Sequence, residues 1–227
     1  MRKKLNFISF VEMLKKYIQV RRTARYFLSK EPDEQVKTVL VVLHGYAQNG
    51  DNFLEAFSEL KRDDLLILAP EGLSKFYWKD FTSDPSSSWM TSLERENEIL
   101  DTMRYLEQVV LDIKAQLPSR NVEFVCLGFS QGAATASRLV CNPYLSFTKL
   151  LLYGGAPAHD LHWQVLPEVL EFHLIYGDND ALVSESQVTK VKKLIESKRF
   201  PVRVHPYQGK HKIEAAGLQI VAQILDE

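Results

Sequence analysis

Cysteine is scarce in this chain of 227 residues, which contains only Cys126 and Cys141. Two cysteines are too few for a disulfide framework, and both lie in apolar stretches. We therefore expect buried free thiols and a reducing compartment, the cytoplasm. The net charge is also small, −1 with histidine neutral, and gives no reason to expect a nucleic-acid partner. Hydrophobic residues make up 45% and charged residues 25%, as in a globular protein that folds without a metal or a disulfide.

Long apolar runs are absent too, since no stretch approaches the roughly 20 residues of a membrane span. Residues 1–25 carry eight lysines and arginines against one acid, Glu12. The apolar stretch 5–14 contains polar residues, is followed by two lysines and has no small-residue cleavage site, which argues against a secretory signal. Its helical spacing predicts an amphipathic helix over residues 1–20, packed on the domain. The alternative for this helix is weak contact with an anionic membrane surface.

Short apolar stretches alternate with stretches of helical spacing over residues 21–227. This order predicts a mostly parallel sheet flanked by helices on both faces, in a single α/β domain. The predicted strands are 23–29, 38–43, 65–69, 122–127, 149–153, 172–176 and 202–207. The predicted helices are 51–60, 91–117 with Thr91 or Ser92 as N-cap, 131–141, 184–197 and 212–225, and residues 74–88 are predicted as a loop.

The sequence Gly-Phe-Ser-Gln-Gly at 128–132 lies between a predicted buried strand and a helix of small residues. A serine at a sharp strand-to-helix turn is exposed above the sheet, and its neighbours must be small because the backbone is crowded there. Ser130 is therefore the candidate nucleophile. The alternative is an ordinary serine in a tight turn.

A nucleophilic serine needs a histidine base and an acid that orients it. In the chain order of α/β-hydrolases both follow the serine, on loops after late strands. His211 meets this requirement; the other histidines lie before the acids or inside predicted strands (His44, His159, His162, His173, His205). Asp178 and Asp180 both follow the strand at 172–176. Asp180 is preferred, because it lies directly before the apolar residues 181–183, which would pack and fix its loop, whereas Asp178 is the better placed to bond the backbone of the turn.

An oxyanion hole needs a backbone N–H from the turn and another from the loop after an early strand. Gln131 and Tyr46 are the candidate donors, and Gly45 beside Tyr46 permits close approach of the backbone. Four aromatic residues in the predicted loop or directly after it either line an acyl pocket or cap the core: Phe76, Tyr77, Trp78 and Trp89. Residues 154–171 are too few for a helical lid domain, so we expect an open site that favours small or water-soluble acyl groups.

Four segments together, 44–46, 128–132, 177–180 and 209–211, resemble the phospholipase/carboxylesterase family of α/β-hydrolases, which includes acyl-protein thioesterases and small bacterial carboxylesterases. The resemblance runs from about residue 23 to the C-terminus. It implies an α/β-hydrolase fold and a serine esterase without a cofactor. By position it implies Ser130 as nucleophile, Asp180 and His211 as its partners, and Tyr46 and Gln131 as oxyanion donors.

The chain departs from the family pattern at two places, and the second bears on the substrate. Ala181 stands where the family often has proline, and the segment 76–90 is longer and more aromatic than in acyl-protein thioesterases, closer to bacterial carboxylesterases. The resulting hypothesis is hydrolysis of a small-molecule carboxylic ester, with thioesters and lysophospholipids as further substrate classes. The alternatives are a non-catalytic binding protein on the same scaffold and a serine peptidase. The oligomeric state is left open by the sequence.

Overall fold

The computed structural model describes residues 13–78, 80–119 and 121–227. Its main element is a seven-stranded sheet with the strand order β1-β3-β2-β6-β7-β8-β9. Strand β1 pairs antiparallel with β3, and every other neighbouring pair is parallel. The seven strands are β1 (Tyr26–Leu28), β2 (Thr38–Leu43), β3 (Leu65–Pro70), β6 (Glu123–Phe129), β7 (Lys149–Tyr153), β8 (Glu171–Gly177) and β9 (Val202–Tyr207).

Helices cover both faces of this sheet, because its central strands are apolar on both sides. One core packs against Phe53 of the first helix and Leu218 of the last helix. The other core contains Leu106, Ala136 and Val188 from the three remaining helices. The helices are α1 (Gly50–Glu55), α2 (Arg95–Gln116), α3 (Gln131–Leu139), α4 (Glu185–Ser197) and α5 (Ala215–Leu225). The predicted mostly parallel sheet with helices on both faces is confirmed.

Three local predictions need correction. The predicted helix 51–60 is divided into α1 and a separate 3-10 turn, Ser58–Leu60. The predicted loop 74–88 contains an antiparallel pair, β4 (Ser74–Phe76) and β5 (Ser86–Ser88). Helix α2 is not capped by Thr91 or Ser92, since its N-cap is Glu94 with a φ of 56°. The Thr91 hydroxyl lies 2.8 Å from a carboxylate oxygen of Glu98 instead.

The N-terminal segment does not form the predicted helix where the structure describes it. Residues 1–12 lie outside the described residues, and residues 13–20 contain no helix. The apolar side chains of Leu14 and Ile18 are 75% and 88% exposed. Lys15 and Tyr17 both bind the carboxylate of Glu94. The prediction of a helix packed on the domain is therefore wrong for residues 13–20.

None of the helices in the described part of the chain is long and apolar enough to cross a membrane.

Candidate active site

Ser130 occupies the turn between β6 and α3, at the carboxyl end of a central strand. Its backbone has φ 52° and ψ −115°, which a residue with a side chain rarely adopts. The turn is crowded, because a Cβ atom at Gly128 would lie 2.2 Å from the carbonyl oxygen of Gly132. At Gly132 it would lie 2.1 Å from the carbonyl oxygen of Leu43, at the end of β2. Both glycines are therefore required by close backbone contact, as the sequence predicted.

His211 lies in the loop between β9 and α5, and its Nε2 is 3.0 Å from the Ser130 Oγ. The imidazole packs against the ring of Phe129, with 4.9 Å between ring centroids. Its loop is held by Tyr207, whose hydroxyl lies 3.0 Å from the carbonyl oxygen of Lys210 and 2.8 Å from that of Lys212. These contacts orient the ring toward the serine.

Asp180 completes the cluster, because its Oδ2 lies 2.7 Å from the Nδ1 of His211. Its Oδ1 accepts hydrogen bonds from the backbone N–H groups of Leu182 (2.7 Å) and Val183 (2.9 Å). The Asp180 side chain is 1% exposed, so water competes little for these bonds. A carboxylate at Nδ1 favours the tautomer whose Nε2 lone pair faces the serine hydroxyl.

Asp178 has a different environment from Asp180. Its Oδ1 accepts hydrogen bonds from the backbone N–H of Gly209 (3.1 Å) and from the side chain of Asn179 (2.7 Å). Asp178 therefore joins the loop after β8 to the loop that carries His211, rather than bonding only its own turn. The structure brings Asp180, and not Asp178, to the histidine.

The candidate oxyanion donors lie on adjacent segments. The close approach of Gly132 to Leu43 and His44 brings the start of α3 against the end of β2, directly before Tyr46. Within the part of the chain that the structure describes, neither the backbone N–H of Tyr46 nor that of Gln131 has a hydrogen-bond acceptor. The Gln131 side chain bonds the Ser88 hydroxyl and the carbonyl oxygen of Met90, which holds β5 against the nucleophile turn.

His44 shapes the loop after β2. Its Nδ1 lies 2.7 Å from the carbonyl oxygen of Gly45, and its Nε2 accepts from the N–H of Gly72 at 3.0 Å. Burial lowers the pKa of His44 to about 4, so the ring is neutral near pH 7. Neutral His44 is therefore a support for the loop and not a second base at the serine.

The four aromatic residues predicted either to line an acyl pocket or to cap the core separate into two groups. Phe76 stacks on Tyr46 at 5.2 Å, and Trp78 meets Tyr46 edge-on at 5.4 Å. Tyr77 and Trp78 are each about half exposed. Trp89 is fully buried, stacks on His44 and donates to its carbonyl oxygen at 2.7 Å, so it caps the core and lines no open pocket. Tyr46, predicted only as a backbone donor, also joins its side chain to the first group.

An apolar cavity of about 90 Å³ lies between α4 and the carboxyl ends of β7 and β8. Its lining includes Gly155, and a Cβ atom there would lie 2.8 Å from the carbonyl oxygen of Ser130. Val183, which bonds Asp180, lines the same cavity. Sequence patterns could not reveal this space, because it depends on the packing of α4 on the sheet.

Across residues 13–78, 80–119 and 121–227, no three His, Cys, Asp or Glu side chains are arranged to hold a metal ion.

Known structures share this fold at low sequence identity. The chain aligns with acyl-protein thioesterase 2 of Zea mays at 17% identity and a TM-score of 0.69, covering 90% of this chain and 98% of the other. The carboxylesterase of Bacillus cereus aligns at 18% identity and a TM-score of 0.66, covering 89% and 93%. A phospholipase/carboxylesterase from Dyadobacter fermentans aligns at 20% identity and a TM-score of 0.66, covering 92% and 99%.

The sequence itself matches a family model. The phospholipase/carboxylesterase model matches residues 25–227, which include the whole seven-stranded sheet and the cluster of Ser130, Asp180 and His211. Because the match spans most of the chain, this protein belongs to the phospholipase/carboxylesterase family and is an ester hydrolase.

Proposed function

We propose that this chain is a serine esterase that cleaves carboxylic esters through an acyl-enzyme on Ser130. The observation that carries the proposal is the chain of contacts from the Ser130 Oγ to His211 (3.0 Å) and from His211 to Asp180 (2.7 Å). In this arrangement His211 takes the serine proton as the Oγ attacks the ester carbonyl, and Asp180 stabilises the imidazolium that forms.

The tetrahedral oxyanion is held by the N–H groups of Tyr46 and Gln131. Two features support this role: both groups lack an acceptor among the described residues, and the start of α3 provides a positive dipole end. His211 then protonates the leaving alcohol. A water molecule activated by the same histidine attacks the acyl-enzyme and releases the acid.

The proposed substrate has a short acyl group. Between β7 and β8 the described chain contains only the 3-10 turn Trp163–Val165, which is too short for a helical lid and supports an open site for small or water-soluble acyl groups. The half-exposed aromatic group of Tyr46, Phe76, Tyr77 and Trp78 offers a surface for the alcohol part of the ester. Thioesters and lysophospholipids are the other substrate classes to compare, since the same acyl transfer chemistry serves them.

Two further features concern the surroundings of the protein. Cys126 and Cys141 are free thiols, which supports a location in the reducing cytoplasm. The exposed apolar and basic residues between 13 and 25 support weak contact with an anionic membrane surface.

The test is hydrolysis of p-nitrophenyl acetate, butyrate, octanoate and palmitate by wild type and Ser130→Ala. We expect turnover that falls with chain length beyond butyrate and a loss on the order of 10⁴-fold or more in kcat for Ser130→Ala. Ser197→Ala is the matched control, since its exposed hydroxyl only bonds its own helix. Full turnover by Ser130→Ala would refute the mechanism.

A further inference from the structure

Glu71 is a buried carboxylate that the proposed reaction does not use. It follows β3 directly, and its side chain is 0% exposed. Oε1 accepts from the Arg25 guanidinium at 2.8 Å and from the Lys75 ammonium. Oε2 accepts from the backbone N–H of Gly50 at 3.0 Å. Burying a charge is unfavourable unless it is paired and hydrogen-bonded, and Glu71 meets both conditions.

These partners keep Glu71 ionised. Burial by itself raises the pKa of Glu71, but the hydrogen bonds from Lys75, Gly50 and Arg25 outweigh burial and lower the pKa below its usual value. The carboxylate is therefore charged at neutral pH and can hold both cations in place.

Glu71 is linked to the loop of Tyr46 through Lys75 and Ser87. The Lys75 Nζ donates to the Ser87 Oγ at 2.7 Å, and that hydroxyl donates to the Asn49 side chain at 3.1 Å. Gly50, bonded directly to Glu71, is the first residue of α1 and ends the same loop. The Glu71 carboxylate thus connects β3 to Gly50 directly, and to the β4–β5 pair and Asn49 through Lys75 and Ser87.

Ser87 also holds the strained part of this loop. Ala47, the residue after Tyr46, has a φ of 61°, and its N–H donates to the Ser87 carbonyl oxygen at 3.0 Å. The Ser87 N–H donates to the Gln48 carbonyl oxygen at 3.2 Å. Strain of this kind persists only where surrounding contacts enforce it. The backbone of Ser87 enforces the strained conformation of Ala47. Lys75, which is itself paired with Glu71, holds the Ser87 side chain.

We propose that Glu71 is a positioning residue that sets the place of the Tyr46 N–H in the oxyanion hole. This inference rests on the proposed function. The physical reason is the short range of the interaction: an oxyanion donor acts at about 2.7–3.1 Å from the oxygen, and a displacement of about 1 Å reduces the rate on the order of 10²-fold. Glu71 acts through the loop and does not touch the substrate.

The test is Glu71→Gln, which keeps the shape of the side chain and removes its charge. In either orientation the new amide NH₂ would face a donor, the Gly50 N–H or the side chains of Lys75 and Arg25, so the network must rearrange. We expect kcat on p-nitrophenyl butyrate to fall about 10- to 100-fold with KM changed less than twofold. Affinity for an alkyl trifluoromethyl ketone, whose adduct with Ser130 carries an oxyanion, should fall by a similar factor.

Two further variants complete the test. Asp160→Asn makes the same change at a carboxylate bound by two arginines away from this loop, Arg95 and Arg138, and should leave kcat unchanged. Ser87→Ala breaks only the side-chain links to Lys75 and Asn49, and should lower kcat severalfold even if Glu71→Gln does not fold. All activities are compared well below the melting temperature of each variant.

The outcomes separate this inference from the proposed function. If wild-type turnover does not depend on Ser130, the proposed function is wrong and this inference fails with it. If turnover depends on Ser130 but Ser87→Ala and folded Glu71→Gln keep wild-type kcat and ketone affinity, only the role of Glu71 is refuted. A change in KM alone would also refute it.

Discussion

At the scale of single residues, the two aspartates after β8 show what local sequence could and could not predict. Asp178 and Asp180 are of the same type, in the same turn, and both fit the expected chain order. The sequence favoured Asp180 by position only. The structure separates them by distance, since the Asp180 Oδ2 is 2.7 Å from His211 whereas the Asp178 Oδ1 bonds the backbone of Gly209. A side chain's direction depends on the neighbouring loop, which local patterns do not encode.

This difference predicts the kinetics of two matched variants. Asp180→Asn should lower kcat on the order of 10⁴-fold, because an amide can hold His211 in the wrong tautomer. Asp178→Asn should lower it less than tenfold, since the amide oxygen still accepts from Gly209. Steady-state hydrolysis of p-nitrophenyl butyrate measures both. Similar losses in the two variants would contradict the assignment of Asp180.

At the scale of elements, the buried strands could be predicted and the N-terminal helix could not. Strands β2 and β3 are buried throughout and lie between two cores. Their almost entirely apolar sequences therefore indicate a central place in the sheet. The segment 13–20 also has helical spacing, but an isolated amphipathic helix is marginal without a surface to pack on. Its only polar side-chain contacts in the described structure are those of Lys15 and Tyr17 with Glu94.

The exposure of this segment predicts a small stability effect. Leu14→Ser should change the free energy of unfolding by no more than about 0.5 kcal/mol, because Leu14 is 75% exposed. The same change at Leu40, which is fully buried in β2, should cost about 2–5 kcal/mol. Urea unfolding followed by circular dichroism measures both. A loss above about 2 kcal/mol in Leu14→Ser would mean that this segment packs on the domain.

At the scale of the whole molecule, burial on both faces of the sheet has a consequence for acid stability. His44 and His173 are both 0% exposed. Burial is the main cause that lowers the pKa of each to about 4, and for His173 the neighbouring His205 and Arg203 lower it further. The unfolded chain binds a proton at each histidine near pH 6.5, while the folded protein does not. Protonation therefore favours the unfolded state between these two pH values.

The free energy of unfolding should fall as the pH drops from about 6.5 to about 4, by about 3 kcal/mol for each buried histidine. Above pH 6.5 the two histidines are neutral in both the folded and the unfolded state, so this loss of stability is absent. His173→Gln should flatten the profile over that range, whereas His159→Gln, at an exposed position, should not. Urea unfolding at a series of pH values tests this prediction. An unchanged slope in His173→Gln would show that His173 takes up its proton in the folded state.

The sequence by itself determined the chain order of the seven strands of the main sheet and of helices α1 to α5, the serine turn and the residue types at the carboxyl ends of the strands. These features are local, since burial periodicity and crowded turns depend on neighbouring residues. Only the tertiary structure decided that Ser130 and His211, 81 positions apart, lie within hydrogen-bond distance. It also decided that Trp89 is buried and that the Glu71 carboxylate accepts from the backbone N–H of Gly50. Those outcomes depend on which distant segments the parallel sheet brings to the same edge.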